Sequence, residues 1–223
     1  MNAELDELAK TNEFPHRPIT DGVINADRYL ASAPKILWIL KEPWEKPAEG
    51  AARGGWSISE YLAGEPKFGN KGTWARMAYV CYAIFNGFLD CSVIPYATAD
   101  SRVLDAFKNI ACINVKKFSG KTLSNPAEIA KYYHKYRDLL NRQIDAIHPD
   151  VIIAGNILSL FYEDFGLKPQ DMTRAGSVQY CRRDQRLYIN AYHPSNWRIK
   201  KSTYVNDLVA VIKSHRPMPQ VVT

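Results

Sequence analysis

Apolar residues fall into two rhythms along this chain. Lys35 to Leu40, Ile110-Ala111-Cys112-Ile113-Asn114-Val115 and Val151-Ile152-Ile153-Ala154 are short apolar runs without polar alternation. Such runs read as strands buried on both faces, as in a sheet covered by helices on either side. Between them, apolar positions recur at helical spacing. Met77, Cys81, Ile84 and Phe85 do so within 74–88, and Ile129, Tyr133, Tyr136, Leu140, Ile144 and Ile147 do so further on. The second of these helices carries its own start signal. Ser124 or Asn125 is the cap, Pro126 fits the first turn and Glu128 suits the helix dipole, and the pattern stops at His148-Pro149. Shorter helical patterns cover 3–10, 101–107 and 157–165, and a last helix spans 202–214. Val178 to Cys181 and Arg186 to Tyr192 read as strands joined by the polar turn Arg182-Arg183-Asp184-Gln185.

Strands alternating with helices predict a three-layer α/β/α sandwich with a mostly parallel sheet. A single domain over residues 1–223 is the economical reading at this length. The polar, glycine-rich passage from Glu42 to Thr73 is too long for a plain connector and is expected to be functional.

Composition narrows this picture only in part. Hydrophobic residues at 46% and charged residues at 23% exclude a disordered chain. No apolar run reaches membrane-spanning length. The start MNAELDELAK lacks a cationic-then-apolar signal, and the four cysteines show neither C-x-x-C nor zinc spacing. A cytoplasmic protein with reduced thiols, no metal and no cofactor is expected. The net charge of +6 and pI near 9.0 favour a polyanionic partner.

Ligands of open α/β sheets bind at the carboxyl ends of the strands. The first strand ends in Lys41-Glu42-Pro43-Trp44 and the second in Asn114-Val115-Lys116-Lys117. The third ends in Gly155-Asn156 and the last in His193-Pro194-Ser195. A carboxylate, an amide and an imidazole are thus expected on one edge, which by itself defines a polar pocket.

The ordered set Leu40-Lys41-Glu42-Pro43-Trp44, Ile113-Asn114 and His193-Pro194-Ser195 resembles the uracil-DNA glycosylase superfamily. That resemblance implies a central, mostly parallel four-stranded sheet between helices. It also implies hydrolysis of the N-glycosidic bond of uracil, or another deaminated or damaged base, after the base is flipped out of DNA. In that likeness Glu42 orients the attacking water, Pro43 shapes the turn and Trp44 lies beside the C5 position of the base. Asn114 reads the uracil edge, and His193 donates to the uracil O2. Pro194 and Ser195 belong to a loop gripping the DNA backbone. Lys41 is a charge the family turn does not usually carry, able to pair with Glu42 or the scissile phosphate. Leu40 stands where the family has glycine. That departure keeps a second reading open, a superfamily member that binds nucleic acid or a nucleotide without cleaving it.

Beyond the motif, Trp197 is expected to act as a wedge or stacking platform. Lys116, Lys117, Arg198 and Lys200 are expected to hold phosphates of single- or double-stranded DNA. Trp56 and Phe68 are candidates to stack on the extruded base. A monomer is expected.

Overall fold

All five side chains of Ile36–Leu40 are buried. Successive strand residues point to opposite faces, and here both faces are covered. Ile36, Trp38 and Leu40 enter one apolar core, and Leu37 and Ile39 enter another. The computed structural model describes residues 17–45, 53–64, 66, 72–120 and 123–215. In chain order its elements are Gly22–Val23 (β1), Ala26–Ala31 (α1), Ile36–Leu40 (β2), Ile58–Ala63 (α2) and Thr73–Phe85 (α3). Arg102–Asp105 (α4), Ile110–Asn114 (β3), Pro126–Ile147 (α5) and Val151–Gly155 (β4) follow. Thr173–Ala175 (β5), Val178–Arg183 (β6), Arg186–Ala191 (β7) and Lys201–Ser214 (α6) complete the set.

The protein is α/β, and its sheet has seven strands in the order β1-β3-β2-β4-β7-β6-β5. The middle four, β3-β2-β4-β7, are mutually parallel. β1 runs antiparallel to β3, β6 to β7 and β5 to β6. The sheet is therefore mixed, and the expectation of a four-stranded sheet is corrected. Two of the added strands left no apolar pattern to read. β1 is two residues long, and β5 is a Thr-Arg-Ala stretch with Thr173 and Arg174 exposed. β6 joins through a two-residue turn in which Asp184 (φ 48°) and Gln185 (φ 67°) adopt the positive φ of a tight hairpin.

Helix boundaries largely follow the sequence pattern. Asn125 caps α5 by accepting from the Ala127 and Glu128 N–H groups, and left-handed His148 ends it. The stretch 157–165 differs from expectation. It forms a 3-10 turn over Leu158–Phe161, whose buried Leu158 and Phe161 are three residues apart, followed by turns. The helical pattern at 3–10 lies outside the described residues. No described helix is long and apolar enough to cross a membrane.

The two cores show where the connections go. Ile58 and Leu62 of α2, the buried side of α3, Val103 of α4 and Tyr204, Val205, Leu208 and Ile212 of α6 pack on the first. Tyr29 of α1, the apolar stripe of α5 and Leu158 with Phe161 pack on the second. The chain thus leaves β2 and β7 toward one face, and β3 and β4 toward the other. Neighbouring strands whose connections diverge open a crevice at their carboxyl ends. Ile153 lies fully buried in β4 at the centre of the sheet. Ile153→Ala is expected to destabilise the fold by about 2–5 kcal/mol in urea titration, whereas Leu123→Ala, at an exposed side chain, is expected to change little.

Candidate functional site at the carboxyl edge of the sheet

Leu40 pairs with Asn114, and Gly155 pairs with Ala191. By strand alternation, Leu40, Asn114 and Gly155 all lie on the first-core face. Backbone pairing continues past the strands. The Val115 N–H donates to the Leu40 carbonyl at 2.9 Å, the Lys116 N–H to Lys41 at 2.9 Å and the Gly120 N–H to Pro43 at 2.8 Å. The segment 115–120 is therefore laid along residues 40–43, and all of it is buried.

Asn114 is 1% exposed, and neither its Oδ1 nor its Nδ2 has a hydrogen-bond partner. A buried unsatisfied group costs about 1–3 kcal/mol, so this amide calls for a partner that the fold itself does not supply. Its backbone is held firmly, because the Asn114 N–H donates to Asp21 Oδ2 at 2.7 Å. The other Asp21 oxygen meets Lys117 Nζ at 2.6 Å and Gln143 Nε2 at 3.0 Å. Lys117 Nζ also reaches Gln143 Oε1 at 2.9 Å, which closes the triangle.

Glu42 has a buried side chain, and its Oε2 lies 3.0 Å from Lys116 Nζ. Lys116 also meets Glu128 Oε1 at 2.6 Å and stands over the Tyr132 ring at 5.2 Å. Burial works against its ammonium, but the bonds to Glu128 and Glu42 outweigh it and raise the Lys116 pKa. Gly120 makes this packing possible. A Cβ there would sit 2.0 Å from Glu42 Cδ. Glu42 Oε1 makes no hydrogen bond among the described residues.

His193 comes from the opposite side of the crevice. Its Cδ2 lies 3.3 Å, and Leu40 Cδ2 lies 3.1 Å, from where a Cβ on Gly155 would stand. A Cβ there would press on both side chains. His193 Nδ1 accepts the Ser195 N–H at 3.3 Å and lies 2.8 Å from Ser195 Oγ. A ring nitrogen that accepts a backbone N–H carries no proton, so the neutral ring keeps its proton on Nε2. Burial first, and then the nearby Lys41 ammonium, lower the His193 pKa to about 4. Burial also lowers Lys41, and Glu42 opposes that shift.

The loop after β7 is anchored from below. Arg76 of α3 donates to the Asn196 and Ile199 carbonyls, each at 2.6 Å, and the Tyr204 hydroxyl donates to the Tyr192 carbonyl at 3.1 Å. Pro194 is buried, whereas Ser195 and Lys200 are exposed. Trp197 is 83% exposed, with the Arg198 guanidinium 5.8 Å from its ring. Trp44 is 58% exposed, beyond buried Pro43.

The structure thus gathers Leu40, Asn114 and His193 at one edge, and holds Glu42, two residues past Leu40, on Lys116. It leaves Trp44, Trp197 and Arg198 facing outward. Lys116 and Lys117 stand elsewhere than expected. They are 6% and 3% exposed, and their ammonium groups are turned onto internal carboxylates. In this arrangement neither presents charge to a passing strand. Trp56 is partly buried against the first core, edge-on to Tyr61 at 6.1 Å. Phe68 lies outside the described residues. Among the described residues no cluster of three or more His, Cys, Asp or Glu side chains could hold a metal ion.

Sequence reasoning missed Asp21, Gln143, Gly120 and Arg76. Gln143 alone left a signal, as a polar residue three positions after Leu140 on the apolar stripe of α5. No protein-family model matches the chain, and no curated protein matches it either.

Removing one partner of a buried ion pair strands the other charge, typically at about 3–5 kcal/mol. Lys117→Met is therefore expected to lower the urea midpoint strongly, an outcome that a surface lysine would not give. The His193 shift also predicts a pH dependence. In the unfolded chain the imidazole binds its proton near 6.5, and in the folded chain only near 4. The stability it contributes is complete above 6.5 and lost as pH falls toward 4. His193→Gln is expected to flatten the urea-midpoint profile across that window.

Proposed function

We propose that the protein is a DNA glycosylase, a divergent member of the uracil-DNA glycosylase superfamily. It would hydrolyse the N-glycosidic bond of uracil, or another deaminated or damaged base, after the base is flipped out of the strand. The observation that carries this reading is the Asn114 carboxamide, buried with its donor and its acceptor both unpartnered. Uracil presents an N3–H donor beside its O4 acceptor, and one carboxamide can meet both. The parallel core β3-β2-β4-β7 supports the same reading, with the outer strands as additions to it.

In this mechanism the bond between C1′ and the base breaks with its electron pair leaving on the base. The His193 Nε2–H meets the charge growing on O2, and a fixed donor in a water-poor site stabilises it without reorganisation. Glu42 Oε1 orients a water toward C1′ and faces the positive charge on the sugar. Water adds at C1′ and gives its proton to Glu42 Oε1, while the base leaves as the anion that the His193 Nε2–H holds. Lys116 keeps the carboxylate in place by gripping Oε2. Extrusion of the base costs a few kcal/mol, and Trp197, 83% exposed, would fill the vacated stack.

One observation favours a second reading, a binding module without catalysis. The Leu40 side chain occupies the edge of the crevice against Gly155, where the superfamily turn has a glycine. The two readings separate in one assay. Oligonucleotides carrying uracil, hypoxanthine or a thymine mismatch are incubated with the protein and then treated with hot alkali. The glycosylase reading expects strand breaks that His193→Ala and Glu42→Gln each slow by about 10²–10³-fold, and that Asn114→Ala abolishes or makes indifferent to the base. Retardation of DNA on a gel without breaks assigns the binding module, and no binding at low salt defeats both.

A further inference from the structure

We infer that the hairpin side of β7 carries a second subsite that binds a phosphodiester of the strand whose base enters at His193. The identity of that strand rests on the proposed function. Arg174 pairs with Gln179, and Gln179 pairs with Asn190, so these side chains form a row across β5, β6 and β7. Residues directly opposite on neighbouring strands share a face, and this row lies on the face away from the first-core residues Leu187, Ile189 and Ala191. Asn156 and Tyr192 bound one end of the row and Ser177 the other, around a cavity of about 180 Å³.

The lining chemistry is one-sided. It offers a guanidinium, three carboxamides and two hydroxyls, and no carboxylate. Asp207, whose Oδ2 accepts the Ser177 N–H at 2.7 Å, is not part of the lining. Asn190 Oδ1 is taken by the Leu158 N–H at 3.3 Å, which leaves its NH₂ group to donate. Ser177 Oγ is buried without a partner. Arg28, Arg102 and Arg137 are each paired with a carboxylate, whereas Arg174 makes no hydrogen bond or ion pair among the described residues. A cation surrounded by neutral donors selects an anion.

Size and place narrow the ligand. Pockets enclosing a whole small molecule run to roughly 300–1,000 Å³, so this one suits a single group of a larger ligand. A phosphate answers both size and charge, and an arginine fork fits its oxygens. Asn156 directly follows Gly155, against which His193 packs, and Tyr192 directly precedes His193. A strand delivering a base to His193 would therefore cross the edge of the sheet at this cavity.

The test measures anisotropy of a fluorescein-labelled single-stranded oligonucleotide carrying uracil with a 2′-fluoro sugar that resists cleavage, over a salt series. Losing one phosphate contact removes about one unit from the slope of log affinity against log salt. Arg174→Gln is expected to weaken binding about three- to tenfold and to flatten the slope by that amount, and Arg174→Lys to keep the slope. Neutral methylphosphonates placed singly along the strand should cost the wild type affinity at one position where Arg174→Gln is indifferent. An unchanged melting temperature shows that the variant is folded. A wild-type slope in Arg174→Gln, with uracil removal intact, overturns the subsite alone. If the wild type binds no oligonucleotide, the glycosylase reading falls and the diester assignment with it. In that case, inorganic phosphate that raises the melting temperature of the wild type but not of Arg174→Gln would reassign the cavity to a free phosphate.

Discussion

The Lys117 ammonium is buried beside the Asp21 carboxylate, and much of the carboxyl edge depends on how completely the two are satisfied. Desolvating an ion costs several kcal/mol, which attraction offsets only with good geometry and further hydrogen bonds. Gln143 supplies them to both partners. The arrangement joins three distant stretches: the segment before β1, the loop after β3 and the last turns of α5. No shift of one against the others keeps all the bonds. Because Asp21 also accepts the Asn114 N–H, the carboxamide at the end of β3 inherits that rigidity. The unsatisfied amide is thus carried on some of the best-satisfied backbone in the site.

Lys116 and Lys117 are neighbours with different tasks. One is locked to Asp21 beneath the edge, and the other reaches Glu42 and Glu128 at its rim. Gly120 then lets the loop close against the Glu42 carboxyl group. The electrostatics of the crevice follow from this layout. Glu42 is held by a cation that is itself held twice, and Lys41, which makes no ion pair among the described residues, lies close enough to help keep His193 neutral.

The sequence made the core strands legible because a strand buried on both faces leaves an unbroken apolar run, and β2, β3 and β4 are such strands. It made α5 legible through its cap and stripe. The edge strands β1 and β5 were not, since Gly22–Val23 and Thr173–Ala175 are short and carry no pattern. The site was legible to the extent that chemistry stands at strand ends: Glu42, Asn114 and His193 are found there. Charge was misread at Lys116 and Lys117. A lysine after a strand looks the same in sequence whether it faces solvent or a buried carboxylate, and its partners here, Asp21, Glu42 and Glu128, are remote in the chain. Arg76 was invisible for a related reason, because it acts on backbone carbonyls, which have no signature.

Arg76 also bears on how the outer loop meets a ligand. Ordering a loop when something binds costs conformational entropy, which is subtracted from the affinity of the contact. Here the guanidinium already ties the carbonyls of Asn196 and Ile199 to α3, on either side of Trp197 and Arg198. The two large exposed side chains therefore ride on a backbone whose shape is set in advance. Encounter with a partner would immobilise only their rotamers, so this aromatic and its cation behave as a rigid tool rather than as part of a flexible flap.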